Sequence, residues 1–174
     1  YIKNGENFRL RNNASPYGVK MIAAPNMWKS SYTGRGVKIA IIDSGCDVNH
    51  VSLKDKIAGV RNFTPEDMKN PNIVTDRIGH GTHVAGIIGA TNNNETGITG
   101  ILDKVQLYGV DCYATSKQKR SNIAVSSLLA GIELCISNNC KVVNMSSGTA
   151  PTNAKETRIN AENSARETIK YLIF

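Results

Sequence analysis

One short run, VKIAII at positions 37–42, constrains the fold more than any other feature of this chain. A run rich in β-branched apolar residues is typical of a strand buried on both faces of a parallel sheet. Further short strands are predicted at 57–60, 105–110 and 141–145, with helical patterns between them at 80–91 and 125–138. Strands that alternate with helices of this length predict an α/β fold, a three-layer parallel sheet with helices on both faces.

The chain has the length of one domain, because its 174 residues fall within the usual domain size. Residues 1–20 are polar and predict an extended N-terminal arm, and residues 21–174 are assigned to the domain. A short helix is predicted to begin at Pro25 and to stop near Gly34. A last helix from Glu156 ends on apolar residues with no strand after it, so the fold is expected to be incomplete at its C-terminus.

Composition and charge exclude several classes of protein. Apolar residues make up 40% and charged residues 20% of the chain, which is ordinary globular composition. No run approaches the roughly 18 consecutive apolar residues that a membrane span needs, and the N-terminus lacks the apolar core of a signal peptide. The net charge of +7 is spread along the chain. Its densest basic run, Lys117–Arg120, is flanked by Ser and Thr and is predicted to be a solvated loop rather than a nucleic-acid patch.

The four cysteines, at positions 46, 112, 135 and 140, form no CxxC pair, so neither a zinc ribbon nor a thioredoxin-type site is expected. Cys135 and Cys140 are five residues apart across a predicted helix end, a spacing that does not place two side chains face to face. We therefore predict buried free thiols in a reducing compartment.

The first candidate site residue is Asp43, which ends the apolar run in the segment IIDSGCD. The C-terminal ends of parallel strands are where α/β folds place functional groups. Two other interpretations stay open at this point. Asp43 could cap the turn that follows, or it could belong to a dinucleotide site, although no GxGxxG motif follows the strand.

The second candidate is His80, in the segment GHGTHVAGIIGA at 79–90, whose small residues allow a helix to pack closely on a neighbour. The helix dipole disfavours a positive imidazolium at a helix start, so a base there would gain from a nearby carboxylate such as Asp43. A zinc site of His80, His83 and Asp43 is the competing interpretation, but it lacks a fourth ligand and an HExxH motif. His83 is predicted to be a packing residue.

The third candidate segment is KVVNMSSG at 141–148. A strand that ends in Ser146, Ser147 and Gly148 can expose backbone groups at the edge of a sheet, where an extended peptide would pair with them. The alternative is a strand followed by an ordinary loop.

Taken together, the three segments resemble the subtilisin-like serine proteases. IAIIDSGCDVNH, GHGTHVAGIIGA and AGIELCISNNCKVVNMSSG are similar to that family's aspartate motif, histidine motif and substrate-wall helix and strand, in the same order. The resemblance covers residues 17–148, and its first part is most similar to the intracellular bacterial subtilisins. It implies a parallel sheet in the spatial order 2-3-1-4, in which the strands near 57–60, 105–110, 37–42 and 141–145 lie side by side in that sequence. It also implies protein or peptide substrates and a cytoplasmic location, although the sequon Asn62–Thr64 leaves secretion open.

The resemblance also assigns roles to residues. It implies that Asp43 orients and charge-stabilises the imidazole of His80, that His80 is the general base and acid, and that residues 146–148 bind substrate. The family's nucleophile motif, of Gly-Thr-Ser-Met-Ala type, is absent from these residues, as is the oxyanion-hole Asn. The chain is therefore predicted to be the N-terminal portion of an endopeptidase and to be inactive alone. The alternative is a non-catalytic relative that binds extended peptides or a partner chain, such as the missing C-terminal half.

The resemblance implies no cofactor for catalysis. It implies a structural calcium ion between residues 50–53 and the loop 91–101, but Ser52 stands where the family often carries an Asp ligand. Only the loop side of that site therefore matches the family, and calcium binding is left as an open expectation.

Overall fold

The computed structural model describes residues 16–64, 69–91, 98–115, 121–123 and 125–146. Two short helices, α1 (Tyr17–Met21) and α2 (Ala24–Lys29), come first, and the longer helices are α3 (His80–Gly89) and α4 (Val125–Ser137). The strands are β1 (Lys38–Asp43), β2 (Ile57–Asn62), β3 (Gln106–Asp111), β4 (Tyr113–Thr115), β5 (Ser121–Ile123) and β6 (Val142–Asn144). None of the helices in these ranges is both long and apolar enough to cross a membrane.

Four strands form one parallel sheet in the order β2-β3-β1-β6, which is the order predicted. β1 is paired on both sides, with Asp43 beside Asp111 of β3 and Ile41 beside Asn144 of β6. Because parallel strands share one direction, the carboxyl ends of all four strands lie along one edge of the sheet. Functional groups at strand ends therefore collect at that edge.

β1 is buried on both faces, as its sequence predicts. Ile39 and Ile41 join a buried cluster with α3, whereas Ala40 and Ile42 join a second cluster with α4 on the opposite face. The sheet therefore has helices on both sides, and the predicted three-layer fold is confirmed. Side chains alternate along a strand, so Asp43, the next residue in the series of Ile39 and Ile41, faces α3.

α3 packs closely on the sheet through small residues. Ala85 is fully buried, and a side chain at Gly89 would place its Cβ 2.8 Å from Cγ1 of Val105, which is closer than real Cβ contacts occur. The predicted close packing of this helix is confirmed, and it keeps the N-terminus of α3 near the end of β1.

Residues 17–20 belong to helix α1, so the prediction of an extended arm is wrong there. Pro16 stands just before the helix with its φ fixed at −50°, and the Lys20 N–H donates to its carbonyl at 3.2 Å. Burial of Val19, which is 5% exposed, holds this short helix on the domain. Residues 1–15 and the predicted last helix from Glu156 lie outside the described residues.

A two-stranded antiparallel ribbon of β4 and β5 follows the sheet, with Tyr113 paired to Ile123, and the sequence did not predict it. Three-residue strands are too short to show the alternation by which a strand is recognised. The basic run Lys117–Arg120 lies between the two strands, outside the described residues.

The end of α4 differs from prediction in two ways. Helical spacing predicts a buried face that includes Ile136, but Ile136 is 45% exposed and Cys135 is fully buried in its place. Beyond the helix, Asn139 adopts a left-handed φ of 56°, and the Cys140 N–H donates to the carbonyl of Cys135 at 2.9 Å. This turn, a Schellman motif, folds the chain back, so that Cys140 packs against the buried cluster that contains Cys135. The prediction that they would not meet is wrong, because it applied helical spacing beyond the helix end.

All four cysteines are free thiols, as predicted, and Cys140 is only half-buried. Burial raises the pKa of the Cys46, Cys112 and Cys135 thiols from 9.0 to about 12. In the unfolded chain these thiols ionise near pH 9, whereas in the folded protein they stay protonated to about pH 12. Ionisation above pH 9 therefore favours the unfolded state, and stability falls as the pH rises through this window.

We predict that the free energy of unfolding decreases between pH 9 and pH 12 and that Cys112→Ala makes this decrease shallower. Each buried thiol contributes about 1.4 kcal/mol per pH unit to the slope. Urea unfolding in the presence of a phosphine reductant, repeated at several pH values, measures the slope. Equal slopes for the wild type and the variant would contradict the prediction, whatever the absolute stability of the variant.

Candidate active site

The structure brings Asp43 and His80 together. Nδ1 of the His80 ring lies 2.8 Å from Oδ1 and 2.9 Å from Oδ2 of Asp43. The carboxylate side chain is 1% exposed, while the imidazole side chain is 48% exposed. An ionised carboxylate only accepts hydrogen bonds, so Nδ1 donates and Nε2, on the other edge of the ring, is left as the acceptor. The predicted contact between the two side chains is confirmed.

A close approach of two backbone segments makes this contact possible. α3 begins at His80, directly beside the residues that follow β1. A Cβ added at Gly81 would collide with the carbonyl oxygen of Gly45 and would lie 3.1 Å from Cβ of Asp43. Gly45 itself has a φ of 101°, a conformation that favours glycine. Both glycines are therefore needed to bring the helix start against the strand end.

Asp76 ties the two segments together through five hydrogen bonds. Its Oδ1 accepts from the N–H groups of Gly79 at 2.7 Å and Ile78 at 3.2 Å, and from the Ser44 hydroxyl at 2.9 Å. Its Oδ2 accepts from the N–H of Thr82 at 2.8 Å and from the Thr82 hydroxyl at 2.6 Å. Asp76 therefore caps the N-terminus of α3 and also holds the residue that follows Asp43.

Sequence reasoning missed Asp76, although a signal was present. The residue before α3 is Gly79, which has no side chain with which to cap the helix. An acidic residue a few positions ahead of such a start, here Asp76, is the natural substitute, because a carboxylate satisfies the free N–H groups and interacts favourably with the helix dipole. The Ser44 hydroxyl also accepts from the Gly81 N–H at 3.1 Å, which closes the network.

His83 is exposed on α3, so the prediction that it packs in the interior is wrong. α3 is covered on the face that carries Ala85, and a residue two positions away on a helix points to the opposite side. The alternative zinc site of His80, His83 and Asp43 receives no support. Within the described ranges, no group of three His, Cys, Asp or Glu side chains is placed to hold a metal ion.

Cys46 lies three residues after Asp43 and is 4% exposed. Burial and, to a smaller extent, the carboxylates of Asp76 and Asp47 raise the pKa of its thiol to about 12. The Cys46 thiol is therefore protonated at neutral pH and closed to external reagents. Cys46 therefore does not supply an activated thiol to the neighbouring Asp43–His80 pair.

The third candidate segment reaches the same edge of the sheet. Asn144 of β6 lies beside Ile41, so the residues after Asn144 continue toward the level of Asp43. Ser146 is exposed, and its hydroxyl donates to Oδ1 of Asn144 at 2.7 Å. Ser147 and Gly148 lie outside the described residues, and the role of all three in substrate binding stays a prediction.

An apolar cleft lies beside β6 on the α3 side of the sheet, apart from the Asp43–His80 pair. Its lining consists of apolar side chains and one amide, from Ile39, Ile88, Ile101, Leu102, Val142 and Asn144. Val142 is 49% exposed and Met145, just beyond the strand, is 38% exposed. Apolar surface is therefore exposed next to β6.

Two other expectations concern residues near the sheet. The carbonyl of Ser52 accepts from the Thr91 N–H at 3.0 Å, so the two halves of the expected calcium site are adjacent. Residues 92–97 lie outside the described ranges, and calcium binding stays a prediction.

The sequon residue Asn62 is 3% exposed, and its amide donates to the Ile73 carbonyl at 2.6 Å. The folded protein therefore cannot present Asn62 for glycosylation, and the sequon gives no argument for secretion.

A buried carboxylate that holds Nδ1 of a half-exposed imidazole is the base arrangement of the serine hydrolases. The model of the subtilase family matches residues 34–173, and the chain belongs to this family of serine proteases. It is 40% identical over 136 residues to an intracellular serine protease of Paenibacillus polymyxa, covering 78% of this chain and 40% of that protein. It is 32% identical over 154 residues to the major intracellular serine protease of Bacillus subtilis, covering 88% and 47%.

The similarity extends to the subtilisins. Subtilisin E of Bacillus subtilis is 40% identical over 133 residues, which make up 76% of this chain and 32% of that protein. The chain thus spans less than half the length of the curated relatives it matches.

We predict that Asp76→Ala lowers the free energy of unfolding by about 2–3 kcal/mol, because it leaves donors at the start of α3 without their acceptor. Asp55→Ala is the matched control, since Asp55 is exposed and its removal should cost about 0.5 kcal/mol or less. Urea unfolding of both variants at neutral pH gives the comparison. Equal stability of the two variants would show that the Asp76 network adds nothing.

Proposed function

We propose that this chain is the N-terminal portion of a subtilisin-like serine endopeptidase, with His80 as general base and acid and Asp43 as the residue that orients it. The observation that carries the proposal is the pairing of His80 Nδ1 with both carboxylate oxygens of Asp43. Nε2 then takes the proton of a serine hydroxyl as the oxygen attacks the scissile carbonyl, and returns it to the leaving amine. Asp43 fixes the tautomer and stabilises the imidazolium that forms in between.

The substrate is a protein or peptide in an extended conformation. β6 is paired with β1 along one side, and within the described part of the sheet its other side carries no strand. An extended peptide would pair with the backbone of Ser146, which follows β6 at the edge where Asp43 lies, and with that of the next two residues in the sequence, Ser147 and Gly148. This placement would bring a scissile bond near His80.

The serine nucleophile and the oxyanion donor come, in this proposal, from a C-terminal half that the present sequence does not contain. The family's nucleophile motif is absent from the 174 residues, and the matched relatives are more than twice as long as the region they share with this chain. The apolar cleft and the exposed Val142 and Met145 beside β6 offer that half a surface to cover. The names of the intracellular relatives and the free thiols support a cytoplasmic location.

The alternative is a non-catalytic relative that binds extended peptides or a partner chain through the same strand edge. The side of β6 that carries no strand among the described residues favours it as well, since pairing with a peptide needs no nucleophile. Labelling with a fluorophosphonate separates the two proposals, because this reagent reacts only with a serine that a working base activates.

The parent protein that contains this chain should be labelled by a fluorophosphonate and should hydrolyse a peptide substrate. His80→Ala should lower kcat by about 10⁶-fold, the loss that removal of a triad histidine causes. His83→Ala is the matched control, because it removes an exposed histidine three residues further along α3, and it should retain full activity. Peptide binding without labelling would instead favour the non-catalytic relative.

We predict that the 174-residue chain alone neither reacts with the fluorophosphonate nor cleaves peptides. A complete triad site that loses one member keeps about 10³–10⁴-fold catalysis over water through its oxyanion hole and substrate binding. Here the nucleophile and the side-chain oxyanion donor are both missing, so that remainder should also be lost. Labelling of any serine of this chain that His80→Ala blocks would contradict the assignment of roles.

A further inference from the structure

The C-terminal end of α4 brings two thiols together in a way that the proposed protease function does not use. Asn139 is in the left-handed conformation, with a φ of 56°, and the next N–H, that of Cys140, donates to the carbonyl of Cys135 at 2.9 Å. In this type of helix end the side chains at the two hydrogen-bonded positions frequently contact each other. Here both are cysteines, and Cys140 packs against the buried cluster that contains Cys135.

We propose that Cys135 and Cys140 are an oxidation site, at which a small-molecule disulfide converts the two thiols into a reversible intramolecular disulfide. The turn at Asn139 brings Cys135 and Cys140 to the two positions whose side chains contact each other in a Schellman motif, so closure requires no movement of a secondary-structure element. The site lies on the face of the sheet opposite α3, away from Asp43 and His80.

The two thiols differ in access, which sets the order of the reaction. Cys140 is half-buried, whereas Cys135 is fully buried in the cluster between α4 and the sheet. Burial raises the pKa of Cys140, but the ammonium of Lys38 opposes this, and the same ammonium donates to the carbonyl of Asn138 at 2.8 Å. Cys140 is therefore the thiol that an external reagent meets first, and Cys135 is the thiol that resolves the intermediate.

The chemistry balances in two exchange steps. The Cys140 thiolate attacks one sulfur of the disulfide RSSR, which forms a mixed disulfide and releases RS⁻. The Cys135 sulfur then attacks the Cys140 sulfur, which closes the intramolecular bond and releases a second RS⁻. The two thiol protons pass to the two released thiolates, so that one RSSR is reduced to two RSH while the protein loses two hydrogen atoms.

Cys112 is the competing partner, because it lies in the same buried cluster as Cys135. Its thiol is directed elsewhere, since Sγ donates to the carbonyl of Ser127, 3.3 Å away. Cys112 is also only 1% exposed, so it has no access to an external disulfide. These observations assign the bond to Cys135 and Cys140 rather than to Cys112 and Cys135.

The experiment treats the reduced 174-residue chain with glutathione disulfide under native conditions, alkylates the remaining thiols in denaturant and digests the product with trypsin. Cys135 and Cys140 fall in one peptide, residues 121–141, whereas Cys112 falls in 105–117 and Cys46 in 39–54. The expected result is a 121–141 peptide that is two hydrogen atoms lighter and unalkylated, with Cys46 and Cys112 alkylated. Dithiothreitol should reverse the change.

Three outcomes would overturn the proposal: a bond that joins peptides 105–117 and 121–141, a glutathione adduct on Cys140 that does not close, or no oxidation at all. Cys112→Ser should leave the closure intact, and Cys140→Ser should abolish both the closure and the adduct.

Two further variants test the turn itself. Asn139→Gly keeps the left-handed conformation accessible and should close at the wild-type rate, whereas Asn139→Val disfavours it and should close several-fold more slowly. Equal rates in these two variants would also contradict the proposal.

Discussion

The burial of β1 on both faces is the constraint on which the other features depend. Four consecutive residues of this strand, at positions 39–42, are each at most 5% exposed, and they alternate between the α3 layer and the α4 layer. A strand covered in this way has no freedom to shift its register, because a shift of one residue would exchange its two faces. The direction of the Asp43 side chain, toward α3, is therefore fixed by the packing of the apolar residues before it.

Burial of a carboxylate is unfavourable unless hydrogen bonds compensate for the lost water, and this requirement shapes the site. Asp43 is 1% exposed and accepts from the Ser44 N–H at 2.7 Å as well as from His80. The imidazole is thus held by the same contact that satisfies the buried acid. Asp76 supplies the second constraint, since it fixes the start of α3 relative to Ser44 and so limits where His80 can stand.

The two layers of the protein carry separate chemistry. The α3 layer holds the pair that would move a proton in peptide hydrolysis, and the α4 layer ends in the cysteine pair. β1 separates them, because its side chains reach both layers while its backbone is paired with β3 along its whole length and with β6 at positions 39–41. Oxidation at the end of α4 would therefore act on the turn that leads into β6, and not on the Asp43–His80 contact.

By itself, the sequence determined the sheet, its strand order, and the two residues Asp43 and His80. The sheet follows from local periodicity, and the strand order and the two site residues follow from the resemblance of three motifs, in order, to the subtilisin-like proteases. Only the tertiary structure decided which other residues join them. Asp76 acts across a turn that brings separate segments together, His83 faces outward because one side of α3 is uncovered, and Cys140 returns to Cys135 because a left-handed residue reverses the chain. Periodicity indicates which residues share a face, but the covering of that face depends on contacts between segments distant in sequence. The reversal at Asn139 depends on a left-handed backbone conformation that helical periodicity does not describe.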